Sequence, residues 1–556
     1  MLGACCFLVY LTNIRSMAAQ DSIPARLLPF SLLREGNVDF DEFKWLFSEY
    51  PRPYYLNHTR SGHWLSAYAI GAPLLVTPLS LPAVWWLHAH HIEDDDVRFR
   101  VVTVVMERVG AATFTAASVS LLYLALCSVT TAPFALGTTL VYGLGTNTWA
   151  VGSQSMLQHG AAEMMLAGLS LFLLGDDTRR RAVGAGMFAA LGVIVRPTML
   201  VFALLAFAFM WFERRRHIVA FLVVPFAGAA ALWAYNRGLG GLVQGGYHGF
   251  IFTRPQFDRF MGLLISPNRG VLVYTPVTAL ALPAIWQRDP PRFRWCSYML
   301  IGVGAYLLLY SAWIGWWGGN TYGPRFLTDA LPGLALCAAP VVERLWRSHL
   351  WRAVVCTLVL WGVAVQIIGV YFDDNGWNMS TRQGVGPGRR VWSTFEMQIP
   401  RAARAGWHGT RLLPLVWQTF TDPHPALLRE MRAEDLAGEM SVEEPQPLHY
   451  THAHPKRLAL RLTNKSQAVW PAFSDYGFMH CRVIYRWYNR GESVEDTGAM
   501  VLPRNLDPGE SITLHGWLDV PAQPGQYQLH LMLLQMLHAD RGVFGGVELR
   551  LPVQVD

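Results

Sequence analysis

The chain has few charged residues and few cysteines for its length. Charged residues make up only 15% of its 556 residues, whereas 52% are apolar, and this composition favours a polytopic membrane protein over several soluble domains. Of the seven cysteines, only Cys481 lies in the long polar C-terminal part, so no disulfide framework is predicted. The formal charge of +6 comes from short basic clusters between apolar runs. Such clusters indicate membrane topology rather than nucleic-acid binding.

The motifs of several soluble enzyme classes are also missing from the sequence. It contains no glycine-rich phosphate loop, no Ser/His/Asp arrangement with family spacing, and no haem or flavin signature. These absences argue against a nucleotide-sugar enzyme of the soluble Rossmann type.

Long apolar runs occupy most of the first 372 residues. A membrane-spanning helix needs about 20 mostly apolar residues, and about eleven runs meet or approach this length. They cover residues 1–16, 102–127, 131–148, 155–175, 183–197, 198–213, 217–235, 270–287, 295–314, 327–345 and 352–372. The first run has no basic segment before it and no convincing cleavage site, so we interpret it as a short transmembrane helix rather than a signal peptide.

The basic clusters predict which loops face the cytoplasm. Under the positive-inside rule these are Arg179–Arg181, Arg214–Arg216, Arg288–Arg294 and Arg344–Arg352. The segment 64–88 would then begin and end on the outer side as a juxtamembrane or re-entrant element. The alternative is a full crossing there, with one of the shorter later spans failing to cross. The outer regions would be Met17–Arg100, Thr146–His159, Arg237–Arg269, Trp316–Arg325 and everything after Tyr371.

The composition changes after residue 372. Residues 373–440 mix amphipathic helical stretches with Gly/Pro turns, and residues 441–556 alternate apolar and polar positions in about seven short strands, which is typical of a β-sandwich. We therefore predict a helical membrane domain (1–372), a helical connector (373–440) and a β-sandwich (441–556). The aromatic residues Trp470, Tyr485 and Trp487 either bind glycan or form the sandwich core. Alternation places Tyr485 and Trp487 on one face of a strand, which favours the core.

Asp21 is the first candidate for chemistry. It lies just after the first apolar run, and a carboxylate there can remove the proton of an acceptor hydroxyl. A helix cap or a solvated loop acid is the alternative. Asp39, Asp41 and Glu42 are rival carboxylates in the same loop.

Four arginines near the outer membrane boundary could hold an anionic group, because a guanidinium binds phosphate in a bidentate fashion. They are Arg26, Arg196, Arg269 and Arg325. Interfacial arginines also extend to lipid headgroups without further function. Arg196 is the most informative of the four, because it interrupts an apolar run where an unpaired charge is costly.

Aromatic and imidazole side chains occur at other predicted outer turns. Trp317 and Tyr322 lie in the glycine-rich segment Trp313–Phe326, which could form a pocket wall or an interfacial aromatic belt. His159 begins a predicted span and is either a substrate contact or a structural residue. The stretch His88–Asp96 has metal-ligand residue types, but its spacing matches no ligand template, so no metal site is predicted.

Taken together, these segments resemble the first-loop and later motifs of the glycosyltransferase C superfamily. Its members include lipid A aminoarabinose transferase and the dolichyl-phosphate-mannose protein mannosyltransferases. The resemblance covers roughly residues 1–372. The matching segments are Asp21–Pro29, Tyr68–Leu75, Leu157–Gly160, Val195–Pro197, Ser266–Pro276 and Gly318–Phe326.

The resemblance implies a multi-pass protein of a bacterial inner membrane that transfers a sugar from a polyprenyl-phosphate carrier on the periplasmic face. The acceptor would be an envelope glycan, lipid or protein, and no cofactor would be required. Asp21 would be the catalytic base. The substrate-binding residues would be Arg26, Tyr68, His159, Arg196, Arg269, Trp317, Tyr322 and Arg325.

The sequence also departs from the family pattern and leaves other functions open. Ser22 follows Asp21 where the mannosyltransferases have an acidic residue, which weakens the inference of a protein acceptor or of metal dependence. The alternative functions are an oligosaccharide polymerase or ligase that uses a diphosphate carrier, and a non-enzymatic lipid or sugar transporter or flippase. The C-terminal strands resemble immunoglobulin-like modules, which implies an appended periplasmic domain that faces or positions a glycan.

Overall fold

A computed structural model describes most of the chain. The described residues are 1–13, 20–49, 53–59, 61–238, 251–286, 294–373, 376–379, 387–394, 397–405, 416–417, 420–421, 430–452, 456–472, 480–538 and 541–556. Residues 239–250 of the predicted outer loop and 288–293 of a predicted cytoplasmic loop lie outside this set.

The first 372 residues are mainly helical, as their apolar runs predict. Each of the eleven runs contains a helix. The helices are α1 (Leu2–Leu11), α2 (Ile23–Arg34), α3 (Lys44–Glu49), α4 (Gly71–Ala89), α5 (Val97–Leu126), α6 (Ala132–Gly145), α7 (His159–Leu174), α8 (Arg179–Val195), α9 (Leu200–Glu213), α10 (Ile218–Gly238), α11 (Phe257–Ile265), α12 (Val271–Tyr274), α13 (Arg294–Ala312), α14 (Leu331–Leu345) and α15 (His349–Ile367). The run 270–287 is short α12 followed by a 3-10 segment, Pro276–Trp286. Pro276 explains this break, because proline disfavours helical geometry in the residue before it.

Five helices of the described chain are long and apolar enough to cross a membrane. They are Arg98–Leu126, Arg215–Arg237, Arg294–Ala312, Arg325–Leu345 and His349–Phe372. Several shorter apolar helices accompany them, so the multi-pass character is supported, and the count of eleven spans stays a prediction. The segment 64–88 contains a short strand and most of α4 and is not among the five.

The helices place two kinds of residues at opposite ends of the bundle. Arg214 and Arg216 donate hydrogen bonds to the carbonyls of Gly175 and Asp177, between α7 and α8. His159 begins α7 and Arg196 follows α8, so both lie at the other end. Basic clusters and candidate site residues are therefore separated by the length of the helices.

The C-terminal part folds into two β-sheets. Its strands are β3 (Gly438–Val442), β4 (Leu448–Tyr450), β5 (Lys456–Asn464), β6 (Cys481–Asn489), β7 (Glu492–Val501), β8 (Ser511–Leu518), β9 (Gly525–His538) and β10 (Arg541–Val555). The first two strands of the chain, β1 (Leu56–His58) and β2 (Trp64–Ser66), form a separate hairpin in the first loop. One sheet has the order β4-β10-β9-β6-β7 and the other β3-β5-β8. Only β4 and β10 pair in parallel among these described strands.

Both sheets contribute to a common apolar core. Leu458 and Leu460 of β5 and Tyr485 and Trp487 of β6 are all buried in it. Trp470 is also fully buried and donates a hydrogen bond to the carbonyl of Asp435. The core interpretation of the three aromatic residues is thus the correct one. The β-rich character of the tail is confirmed, and its immunoglobulin-like classification stays a prediction.

Among the described residues, the tail contacts both the membrane part and the connector. Leu534 and Met536 of β9 belong to an apolar cluster with Ile23 and Leu27 of α2, directly after Asp21. Helix α18 (Gln398–Ala405), in the connector, forms an ion pair between Arg401 and Asp519 at 2.9 Å. The other connector helices are α16 (Gly376–Met379) and α17 (Pro387–Arg390).

Candidate active site

Asp21 lies in a 3-10 turn, Gln20–Ser22, at the start of α2. Pro24 lies in the first turn of α2, where the missing N–H removes no intrahelical hydrogen bond. The Asp21 carboxylate accepts hydrogen bonds from Tyr54 Oη at 2.7 Å and Tyr68 Oη at 2.9 Å on Oδ1, and from Arg325 Nη1 at 2.8 Å on Oδ2. Its partners are thus side chains from distant parts of the chain, which argues against a local helix cap.

These contacts determine the charge of Asp21. Burial raises its pKa, but the positive charge of Arg325 and the hydrogen bonds from Tyr54, Arg325 and Tyr68 more than offset this, so the pKa lies below the ordinary value of 3.8. Burial and the Asp21 charge raise the pKa of both tyrosines, so they stay neutral donors. Asp21 is therefore ionised at neutral pH, and its side chain is still 24% exposed.

A buried polar network continues from Arg325 into the protein. Arg325 Nε donates to His159 Nε2 at 3.2 Å, and His159 Nδ1 lies 2.6 Å from Asp329 Oδ1. Asp329 Oδ2 forms an ion pair with Arg196 Nε at 2.5 Å. Arg196 Nη2 in turn donates to Tyr310 Oη at 3.1 Å. The network connects the first loop with the ends of four helices.

Left-handed backbone conformations and one close approach between helices position these side chains next to one another. Gln158, just before His159, has a φ of 72°, an uncommon left-handed conformation for a non-glycine residue. Gly323, just before Pro324 and Arg325, has a φ of 71°, and a Cβ there would lie 2.6 Å from the Tyr274 ring. Gly71 allows α4 to approach α8 closely, since its Cβ would lie 2.6 Å from the Ile194 carbonyl carbon. These positions account for part of the glycine-rich pattern of the motifs.

Arg269 belongs to a second cluster, which does not include Asp21. It donates five hydrogen bonds to neutral oxygens, which uses every N–H of the guanidinium. The acceptors are the carbonyls of Asn268, Trp317 and Gly319 and the side chains of Gln398 and Asn378, at 2.5–3.1 Å. Burial lowers the pKa of Arg269 to about 10. We call these residues the Arg269 cluster, and the contacts indicate that it joins the membrane part to the connector.

The remaining substrate-binding candidates also have structural contacts. Trp317 contributes its backbone carbonyl to the Arg269 cluster. Tyr322 is fully buried and donates to the Val365 carbonyl at 3.1 Å. Arg26 is buried with its Nη1 4.0 Å from Glu107 on α5. The structure brings none of the three into hydrogen-bond contact with Asp21 among the described residues.

The rival carboxylates form a separate group with His63. His63 Nδ1 lies 2.7 Å from Asp41 Oδ2 and 3.9 Å from Asp39 Oδ2. One ligand atom from each residue lies within 4.8 Å of the others, so the group could hold a cation. The His63–Asp41 hydrogen bond explains the arrangement without a metal. Neighbouring Glu42 has its pKa raised to about 7, chiefly by burial.

Asp21, Tyr68, His159, Arg196 and Arg325 are therefore the sequence candidates that the structure connects. Tyr54 and Asp329 are network members that the sequence interpretation missed. Asp329 carried a usable signal, because a carboxylate inside the apolar run 327–345 is costly unless it is paired. Tyr54 carried none, since it is separated from Asp21 by 33 positions in the sequence, a segment that includes α2 and α3.

The arrangement provides two chemical capabilities. The ionised, partly exposed Asp21 can accept a proton. Arg325 uses Nε and Nη1 in the network, and within the described part of the chain its Nη2 makes no hydrogen bond. A guanidinium with an available N–H can bind an anionic oxygen. A base and an anion-binding group thus lie side by side.

Comparison with known proteins gives structural matches only. No protein-family model and no curated protein matches the chain. The chain is similar to ArnT from Cupriavidus metallidurans, in a crystal structure with bound undecaprenyl phosphate, with 14% identity, a TM-score of 0.45 and 81% of each chain covered. A second match is the alkylpurine DNA glycosylase AlkC of Pseudomonas fluorescens bound to DNA with an abasic site analogue. That match has 12% identity and a TM-score of 0.16, and covers 79% of this chain and 97% of the other. Functional interpretation therefore depends on the residues of this chain.

Proposed function

We propose that this protein is a membrane glycosyltransferase that moves a sugar from a polyprenyl-phosphate carrier to a hydroxyl of a cell-envelope acceptor. The observation that carries the proposal is the pairing of ionised, partly exposed Asp21 with Arg325 at 2.8 Å. A proton acceptor and a phosphate-binding group are the two elements that such a transfer needs. The motif resemblance to the glycosyltransferase C superfamily supplies the substrate class.

In the proposed reaction, the acceptor hydroxyl gives its proton to Asp21 as its oxygen bonds to the anomeric carbon. The bond between that carbon and the phosphate oxygen breaks, and its electron pair leaves with the polyprenyl phosphate. The leaving phosphate gains one negative charge, which Arg325 stabilises through Nη2. Arg325, Tyr54 and Tyr68 keep Asp21 ionised before the acceptor arrives, and the acceptor hydroxyl replaces one of the two tyrosines at the carboxylate.

We place the reaction on the periplasmic face of a bacterial inner membrane. The basic clusters lie at the opposite end of the helices from Asp21, and basic residues favour the cytoplasmic side. The β-rich tail contacts helix α2, which follows Asp21, so it lies on the reaction side. The proposed chemistry requires no cofactor.

The proposal is tested with purified protein in lipid nanodiscs and a labelled polyprenyl-phosphate-linked sugar. Asp21→Asn should lower the turnover by about a thousandfold, because general-base catalysis contributes about 10²- to 10⁴-fold. Asp41→Asn, in the same loop, is the matched control and should retain turnover. Undiminished transfer by Asp21→Asn would remove Asp21 from the proposed role, and uptake of donor into vesicles without a covalent product would favour a transporter.

A further inference from the structure

Asp329 is the most completely enclosed acid of the network. Its carboxylate is fully buried, and each oxygen has its own cationic or imidazole neighbour, His159 on Oδ1 and Arg196 on Oδ2. Asp329 also lies in the same 3-10 turn, Arg325–Ala330, as Arg325. At one end of this turn Arg325 contacts Asp21, and near the other end Asp329 lies in the buried part of the network.

The hydrogen-bond pattern allows only one protonation state of His159. Its Nε2 faces Arg325 Nε–H, and an arginine N–H can only donate. His159 Nε2 must therefore accept, which places the imidazole proton on Nδ1, toward Asp329. Either a protonated His159 or the other neutral tautomer would set N–H against N–H at this contact.

Arg196 makes this neutral state compatible with a neighbouring carboxylate. A lone aspartate beside a histidine would favour a protonated imidazole. Because Arg196 already balances the charge of Asp329, the carboxylate can orient His159 without drawing a second proton onto the ring. These contacts form a chain. Arg196 balances the charge of Asp329, Asp329 selects the tautomer of His159, and His159 accepts the hydrogen bond of Arg325.

We infer that Asp329 and His159 are positioning residues that hold Arg325 against Asp21. The inference deepens the proposed function and rests on it. Asp329 fixes the tautomer of His159, His159 fixes Arg325 through Nε, and Arg325 is left with Nη1 on Asp21 and Nη2 toward the anion. Neither Asp329 nor His159 touches the reacting atoms, because both side chains are completely enclosed.

A pair of His159 variants separates positioning from general packing. His159→Gln keeps an oxygen that can accept from Arg325 Nε, whereas His159→Leu has similar size and no acceptor. We expect at least a fiftyfold loss of kcat in His159→Leu, about tenfold or more beyond that of His159→Gln, since misplacement by about 1 Å costs about 10²-fold. Thermal unfolding in the same nanodiscs measures the structural contribution of each variant.

The pH profile provides the second measurement. Asp21 faces Arg325, Tyr54 and Tyr68, and of these only Arg325 is cationic. Loss of Arg325 from this position should therefore move the acid limb of kcat/KM upward in His159→Leu and leave it unchanged in His159→Gln. Asp329→Asn should act in the same direction, and in the His159→Leu background it should cause little further loss of kcat.

The outcomes distinguish this inference from the proposed function. An acid limb at the wild-type pH in His159→Leu, or equal kcat losses in the two His159 variants, would overturn the positioning role. If Asp329→Asn fails to fold, the two His159 variants still decide the matter. Full turnover of Asp21→Asn would instead overturn the proposed function, whatever the His159 variants show.

Discussion

Arg269 and Arg325 are both enclosed arginines at the end of the bundle that carries the glycine-rich motifs, but their surroundings differ in kind. Arg269 gives all five of its N–H groups to neutral oxygens of its own fold. Arg325 binds one carboxylate, one imidazole and, at 3.4 Å, the carbonyl of Gly318, and it keeps part of its guanidinium surface open, with 13% of the side chain exposed. Both were predicted to hold phosphate, and the contacts separate them.

The difference gives a criterion that separates an arginine held by its own fold from one that is available to bind a ligand. A guanidinium saturated by amides and carbonyls can bind an anion only by giving up contacts that hold the fold. A guanidinium shared between a titratable carboxylate and an open side can exchange partners during a reaction. We therefore expect substitutions of Arg325 to affect turnover and substitutions of Arg269 to affect stability.

The largest effect is expected for Arg325→Gln. Loss of the charge that holds the leaving phosphate should reduce turnover by about a thousandfold, or roughly 4 kcal/mol of transition-state stabilisation. Sugar transfer at saturating donor measures this loss, and thermal unfolding should change little in comparison. Turnover within about tenfold of wild type would break the comparison, since Arg325 would then be no more functional than Arg269.

Arg269→Gln should mainly lower stability. Five acceptors would lose their donor inside the protein, and unsatisfied buried polar groups cost about 1–3 kcal/mol each, so we expect a loss of roughly 3 kcal/mol or more after relaxation. Denaturation of the purified protein measures it. Turnover per folded molecule, well below the unfolding temperature, should stay within about threefold of wild type. A stable but inactive variant would place Arg269 in the catalytic site.

A smaller effect is expected for the pH dependence and for Tyr54→Phe. The pKa of Asp21 lies below 3.8, so kcat/KM should not fall through Asp21 titration between neutral pH and about pH 5. The corresponding stability is present above the ordinary aspartate pKa and is lost as the pH falls through the lowered one. Tyr54→Phe removes one hydrogen bond and should raise the acid limb by less than about one pH unit, because Tyr54 is 54% exposed and a water molecule can replace its hydrogen bond to Asp21. If Tyr54→Phe shifted the acid limb more than Arg325→Gln, Tyr54 would lower the pKa of Asp21 more than Arg325 does, which would contradict the expected order.

The smallest effect is expected for removal of divalent cations. Asp39, Asp41 and His63 do not contact the Asp21 carboxylate through any described hydrogen bond, and a cation bound there would lie outside the network. Chelation with EDTA, and the double change Asp39→Asn with Asp41→Asn, should leave turnover within about twofold. A loss on chelation that Mg²⁺ or Mn²⁺ restores, and that the double variant abolishes, would make this group part of the reaction.

Much of the fold could be predicted, because the pattern of apolar and polar residues reflects the medium that surrounds each segment. Apolar runs that approach the length needed to cross a bilayer form helices, and segments of alternating apolar and polar residues after residue 441 form strands. Pro276 shows the limit of that reasoning, since the run 270–287 is apolar throughout and is still divided into a short helix and a 3-10 segment. A proline effect of this kind depends on neighbouring contacts as well as on local preference.

The site could be predicted only in part, for a related reason. Asp21, His159 and Arg325 are conspicuous because each is a polar residue at the edge of an apolar run. Sequence proximity gave no indication that Arg26, five residues after Asp21, points to Glu107 on another helix. Asp329 was overlooked although the cost argument that identified Arg196 applies equally to it.

The contact between strand β9 and helix α2 has a practical consequence. Leu534 and Met536 cover apolar side chains of the segment that begins two residues after Asp21. A shortened protein that ends before the sheets would present this patch to water, next to Asp21, and exposed patches of this kind promote association. Loss of activity after truncation would therefore report an uncovered loop as readily as a missing binding domain, and point substitutions in the full chain are the safer way to study the tail.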